Sequence, residues 1–202
     1  MAEISNKALA VLVVIAIVIS LVAIFIPKGI IKVTGGAVDT GTATVIVSAV
    51  TAINFTDDAI DWGTGTVTTG YANCTLNTTA AAIGPGCTGF TAQTDGFTVE
   101  NIGNKNVKIE LKTGKNAASF IGGTSPLYQY LITNSTASCI GAAWIPSTYT
   151  DVNTTDPGTL LCANFSAVDV HDDFDIHVKI TIPSDAPAAT KTDIFTATAT
   201  AV

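Results

Sequence analysis

Two histidines stand among acidic residues late in the chain: His171 and His177 flank Asp172, Asp173 and Asp175. Imidazole and carboxylate groups are zinc ligands when three or four of them converge. Here Asp173, Asp175, His177 and Lys179 recur at every second position, which places them on the solvent face of one strand. Nothing else in the sequence supplies a third ligand. Asp169, Asp172 and Asp173, or Asp57, Asp58 and Asp61, have the hard oxygen chemistry that calcium takes, but not the spacing of an EF-hand loop. Met1 is the only methionine and the four cysteines read as pairs, so a blue-copper ligand set is absent. Lys112-Thr-Gly-Lys115 lacks the glycine spacing of a phosphate loop. Trp62 and Trp144 are of a type that floors sugar sites, though tryptophans in a two-sheet fold more commonly plug the core or a loop. The sequence thus presents no catalytic residue, metal or cofactor, and reads as non-enzymatic.

The chemistry it does present belongs to the cell exterior. Cys74, Cys87, Cys139 and Cys162 form an even set with no Cys-x-x-Cys pair, the pattern of disulfides rather than a metal site. Three connectivities are open; the local one, Cys74–Cys87 with Cys139–Cys162, closes short loops and is favoured. Asn-x-Ser/Thr sequons occur at Asn54, Asn73, Asn77, Asn134, Asn153 and Asn164, which makes N-linked glycans expected partners. The charge balance is 9 − 16 = −7, with no arginine. An acidic surface of this kind does not suit nucleic acid, whose phosphates need Arg and Lys, or a basic membrane-surface helix.

The segment that must deliver this chemistry outward is Ala8 to Ile26, ALAVLVVIAIVISLVAIFI. It holds no charge and no proline, and Ser20 is its one polar side chain. As a helix it is roughly 28 Å long, about the thickness of a bilayer's hydrocarbon core. Apolar on all faces, it calls for lipid, removal as a signal, or packing among copies of itself. The expected organisation is a polar start and hydrophobic helix over 1–29, a Gly/Val/Thr-rich linker over 30–42, and an extracellular domain over 43–202.

The domain reads as strands. Thr44–Phe55 is β-prone on both parities, like a strand buried on two faces. Ile60, Trp62 and Val67 suggest a short strand, and Tyr71–Thr91, with two sequons and Gly84-Pro85-Gly86, a surface loop. Phe97–Asn101 and Asn106–Lys112 read as a hairpin, with Val107, Ile109 and Leu111 facing in. Strands are expected at Leu127–Thr133, Thr159–Phe165 and Asp193–Val202. The clearest alternation runs from Asp173 to Ile182. Seven to nine such strands without an amphipathic helix predict a mainly β protein: a hydrophobic helix followed by an antiparallel β-sandwich, immunoglobulin-like or jelly-roll-like.

The stretches ISNKALAVLVVIAIVISLV, FTVENIGNKNVKIEL and IPSDAPAATKTDIFTATATA together resemble small archaeal surface β-sandwich proteins carrying a hydrophobic N-terminus. Through its helix the layout is similar to archaeal type IV pilins and archaellins. Through its sandwich and β-rich N-terminal segment it is similar to TasA/camelysin-like matrix-fibre subunits. Lys7-Ala8-Leu9-Ala10 resembles the class III signal of the first group, which implies cleavage between Ala8 and Leu9 and a helix kept in a filament core. The second group implies a strand of one subunit completing the sheet of the next.

The function these features imply is that of a repeating subunit of a surface filament, self-associated through the helix, through Ile31–Thr51 paired to a neighbour's sheet edge, or both. The alternatives are a monomeric adhesin or envelope glycoprotein held in the membrane through residues 8–26, and, more remotely, a secreted carbohydrate-active protein.

Overall fold

The computed structural model describes residues 13–15, 44–79, 82–133, 137–141 and 146–202. The chain divides into two compact units, Met1–Ile46 and Val47–Val202. In the first, residues 13–15 are helical, and the rest of the 8–26 run, the Ala8/Leu9 pair and the 30–42 linker lie outside the described residues. No helix among the described residues is long and apolar enough to cross a membrane.

The second unit is mainly β and antiparallel. Its organiser is the alternating stretch near the C-terminal end, which forms an eleven-residue strand, β11 (Asp173–Pro183). Phe174, Ile176, Val178 and Ile180 are buried on one face, while Asp175, His177 and Lys179 are half-exposed on the other. One edge of β11 holds two partners end to end: β6 (Phe97–Glu100) along Asp173–Ile176 and β3 (Asn73–Asn77) along Lys179–Pro183. The other edge holds β8 (Leu127–Thr133). Shorter strands finish this sheet: β1 (Asn54–Asp57) on β6, β4 (Ala82–Ile83) on β3 and β9 (Thr150–Asp151) on β8. At Gly96, just before β6, an added Cβ would lie 2.2 Å from the Ile176 carbonyl oxygen. Only glycine lets the two backbones come that close.

A second, three-stranded sheet has β7 (Val107–Thr113) at its centre, between β10 (Thr159–Phe165) and β12 (Phe195–Ala201). Val107, Ile109 and Leu111 face the first sheet and share a core with Val99, Tyr130, Ile132, Phe174 and Ile176. Phe165 of β10 and Phe174 of β11 meet edge to face at 5.2 Å across the two sheets. Each large side chain so buried contributes about 1.5–3 kcal/mol. A second cluster, with Leu76, Ile121, Tyr128, Val178 and Ile180, fills the far half of the first sheet's inner face. Over it lie the pair β2 (Thr66–Val67) and β5 (Cys87–Thr88) and a one-turn helix, α1 (Ala117–Phe120), capped by Asn116.

Three sequence expectations are corrected. The expected hairpin of Phe97–Asn101 with Asn106–Lys112 is a crossover: β6 and β7 belong to different sheets. Asn101, 1 % exposed, fixes the crossing through its side chain. Tyr71–Thr91 is not all surface loop, because Cys74 and Leu76 of β3 are fully buried and only their polar neighbours face out. Thr44–Phe55 is not one buried strand. Only its end enters β1, and residues 44–50 are exposed, outside every strand.

Candidate interaction surface

Sheet edges carry unpaired backbone groups, and proteins blunt them with charge, proline, bulges or brevity. Among the described residues most edges are blunted. β4 and β9 have two residues each, β1 has four and a register shift, and β10 has two register shifts. β12 is the exception: seven residues, FTATATA, paired one-to-one with β7 without a bulge, and free of charge, proline and glycine. The Gly114 N–H donates to the Ile194 carbonyl at 3.0 Å, and the Val202 N–H to the Asn106 carbonyl at 3.3 Å. Even-numbered residues of β12 therefore turn their backbone groups toward β7. Phe195, Ala197, Ala199 and Ala201 turn theirs to the open edge.

Beside Phe195 lies a groove of about 950 Å³. Its floor is the far half of the first sheet, with Tyr128, Val178 and Ile180, and its walls include Trp62, Phe120 and Phe195. No residue of β7 or β10 lines it, and β12 reaches it only through its first residue, Phe195. Phe195 packs on Phe97 at 5.0 Å and on Tyr128 at 5.8 Å. Burial, and then the Asp193 carboxylate beside it, push the Tyr128 hydroxyl far above the usual tyrosine range, so it stays protonated. Asp193 Oδ2 is itself enclosed beside that hydroxyl. One rim, the 184–193 loop, is held by Asp185, whose carboxylate accepts from the Thr124 N–H at 2.9 Å and the Thr124 hydroxyl at 2.6 Å. Those bonds keep the Asp185 carboxyl below its ordinary range. Gly123, at φ +79°, makes the turn, and a Cβ there would strike Pro183 and Asp185 at 2.7 Å.

A second exposed apolar feature precedes β1, in a stretch that belongs to no strand. Val45, Ile46 and Val47 are 83, 87 and 77 % exposed, and Val50 is 52 % exposed. Among the described residues, the backbone bonds of this stretch fall near its end. Asn104 Oδ1 accepts from the Val50 N–H at 2.7 Å, the Asn104 N–H donates to the Val50 carbonyl at 3.1 Å, and Asn104 Nδ2 donates to the Ser48 carbonyl at 2.8 Å.

The residues singled out from the sequence are dispersed. His177 places Nδ1 3.3 Å from the Thr78 hydroxyl and Nε2 3.0 Å from the Thr133 hydroxyl, bridging β3 to β8 across β11. Asp175 accepts from the Thr98 hydroxyl at 2.8 Å. His171 and Asp169 are exposed, while Asp172 is buried and its carboxyl is raised by that burial and by the Asp169 and Asp173 charges. Asp57 and Asp58 take no part in the groove, and Asp61, on its rim, caps the Gly63 N–H at 2.8 Å. Among the described residues no group of three or more His, Cys, Asp or Glu is placed to hold a metal. Trp62 is half-buried in the groove wall; Trp144 lies outside the described residues. Disulfides join Cys74 to Cys87 and Cys139 to Cys162. Of the sequons, Asn54 and Asn73 are exposed, Asn77, Asn153 and Asn164 are half-buried, and Asn134 lies outside the described residues.

Sequence reasoning missed the open edge and the groove. The edge had a signal, the charge-free TATATA run, whereas the groove is set by loops and strands far apart in the chain, which no local pattern encodes. No protein-family model, curated protein or solved structure matches this chain.

Proposed function

We propose that this protein is a non-enzymatic, extracellular structural protein, the repeating subunit of a surface filament. The observation that carries the reading is the run Val45-Ile46-Val47, three large apolar side chains more than three-quarters exposed. Exposed apolar runs of this kind mark surfaces that are covered in an assembly. The apolar sequence 8–26 would bundle with its neighbours or anchor in the membrane, and both disulfides fit an oxidising compartment. Negative-stain micrographs of native protein test the reading: fibres are expected, and isolated particles would sink it. Deleting residues 1–26 should leave a folded β unit and abolish polymers held by the 8–26 segment; polymers that persist would assign assembly to strand pairing instead.

The exposed sequons Asn54 and Asn73 favour a second reading, a membrane-anchored adhesin or envelope glycoprotein that stays monomeric. The same micrographs separate the two.

A further inference from the structure

We propose that the groove beside Phe195 is a binding site for a small amphipathic organic cation, an apolar or aromatic body that carries an ammonium group. The proposal goes beyond the filament reading and does not depend on it.

Size and lining fix the apolar part of the ligand. A groove of about 950 Å³ lies within the range of small-molecule sites, roughly 300–1,000 Å³, which are apolar clefts with a few placed polar groups. Four of its rings form a continuous band. Phe120 meets Tyr128 at 4.7 Å, Tyr128 meets Phe195 at 5.8 Å, and Phe195 meets Phe97 at 5.0 Å. Such a band takes an apolar body, and the faces of aromatic rings also attract cations.

Charge fixes the polar part. Two carboxylates, Asp61 and Asp193, line the groove against one ammonium, that of Lys191. Asp61 is engaged at the rim with the Gly63 N–H. Asp193 is half-buried, and its partner there is the Tyr128 hydroxyl. A neutral hydroxyl bonds a carboxylate without cancelling its charge. Among the described residues no lysine forms an ion pair with Asp193, and Lys115 gives its ammonium to the Thr192 carbonyl. A carboxylate set among aromatic rings without a counter-ion is the complement of an ammonium, which would share it with Tyr128.

The walls are held in place without the ligand, which lowers the cost of binding. The 184–193 rim is tied to Thr124 through Asp185 and to Lys115 through the Thr192 carbonyl. The Ile60–Val67 wall is seated on Phe90, where a Cβ on Gly65 would come within 2.4 Å of the ring. None of these ties uses the Asp193 carboxylate.

The test uses the full chain and three probes of one shape: phenylbutylamine, phenylbutanol and phenylbutyrate, which at neutral pH are a cation, a neutral alcohol and an anion. Calorimetric titration is expected to show saturable binding of the amine, one per subunit, with the alcohol weaker by about tenfold or more and the anion weaker still. Asp193→Asn keeps the shape and the acceptor for Tyr128 while removing the charge. It should weaken amine binding by about tenfold or more and alcohol binding by less than about twofold. Should that variant misfold, Trp144→Phe locates the site, because Trp62 in the groove wall is then the one tryptophan and its emission must shift with the calorimetric midpoint. The proposal is overturned by an amine that does not saturate, an alcohol that binds as tightly, an Asp193→Asn chain that binds the amine unchanged, or a Trp62 signal indifferent to the amine. Fibres or isolated particles in micrographs bear on the filament reading alone.

Discussion

The side-chain amide of Asn101 donates to the carbonyl of Ser166, sixty-five residues further along, at 2.9 Å. It also donates to the Lys105 carbonyl at 3.1 Å and accepts from the Gly103 N–H at 3.1 Å. Asn101 thus fastens the point where the chain leaves one sheet for the other to the strand end it crosses beside. Replacing it with alanine strands two carbonyls and one N–H at a site 1 % exposed. Asn101→Ala is expected to lose about 2–4 kcal/mol in urea unfolding. A loss below about 0.5 kcal/mol would mean that water takes over these bonds.

The two bridges close loops with sequence separations of 13 and 23. In the chain-entropy account each is worth about 3 kcal/mol, with the wider loop contributing slightly more. Removing Cys139–Cys162 by a double alanine substitution should therefore lower the thermal midpoint at least as far as removing Cys74–Cys87. The reverse order, measured by calorimetry, would show that native-state contacts rather than loop closure set the effect.

Alkaline stability follows from the buried tyrosines. Burial raises both hydroxyls, Tyr128 with the added charge of Asp193. A raised acid keeps its proton in the folded state after the unfolded chain has lost its own. This contribution is fully present below about pH 10 and falls by about 1.4 kcal/mol per pH unit per tyrosine above it. Tyr128→Phe should flatten that decline between pH 10 and 11. An unchanged slope in urea titrations would assign the decline elsewhere.

Glycan occupancy should track exposure. Asn54 and Asn73 present their side chains to solvent, whereas Asn164 is half-buried with Oδ1 enclosed and without a donor. Peptide mass mapping of native protein is expected to find sugar at the first two and a bare Asn164. Sugar on Asn164 would require modification before the strand docks.

Strands with one buried face were legible because their period shows in sequence. Asp173–Ile182 became β11, and Leu127–Thr133 and Thr159–Phe165 match β8 and β10. Partnership was not legible. FTVENIGNKNVKIEL has the turn residues of a hairpin, and only the burial of Asn101 shows that its arms separate. In β3 the sequons at Asn73 and Asn77 suggested a loop, although Cys74 and Leu76 alternate with them as a core strand must. Thr44–Phe55 looked doubly buried because its composition suits two covers, yet residues 44–50 are exposed and only Ile53 and Phe55 reach the core.

Asn104 holds the entering chain at Ser48 and Val50, and two residues on Asn106 holds the last strand at Val202. Tension arriving along residues 47–50 is therefore shared between the covalent path into β1, where Ile53 and Phe55 pack on the core, and the short turn that also holds β12. Pulled lengthwise, the seven-residue ladder between β12 and β7 must shear all its bonds together instead of peeling them singly. A strand in that position acts as a tensile member, and the turn at 101–106 is its buckle.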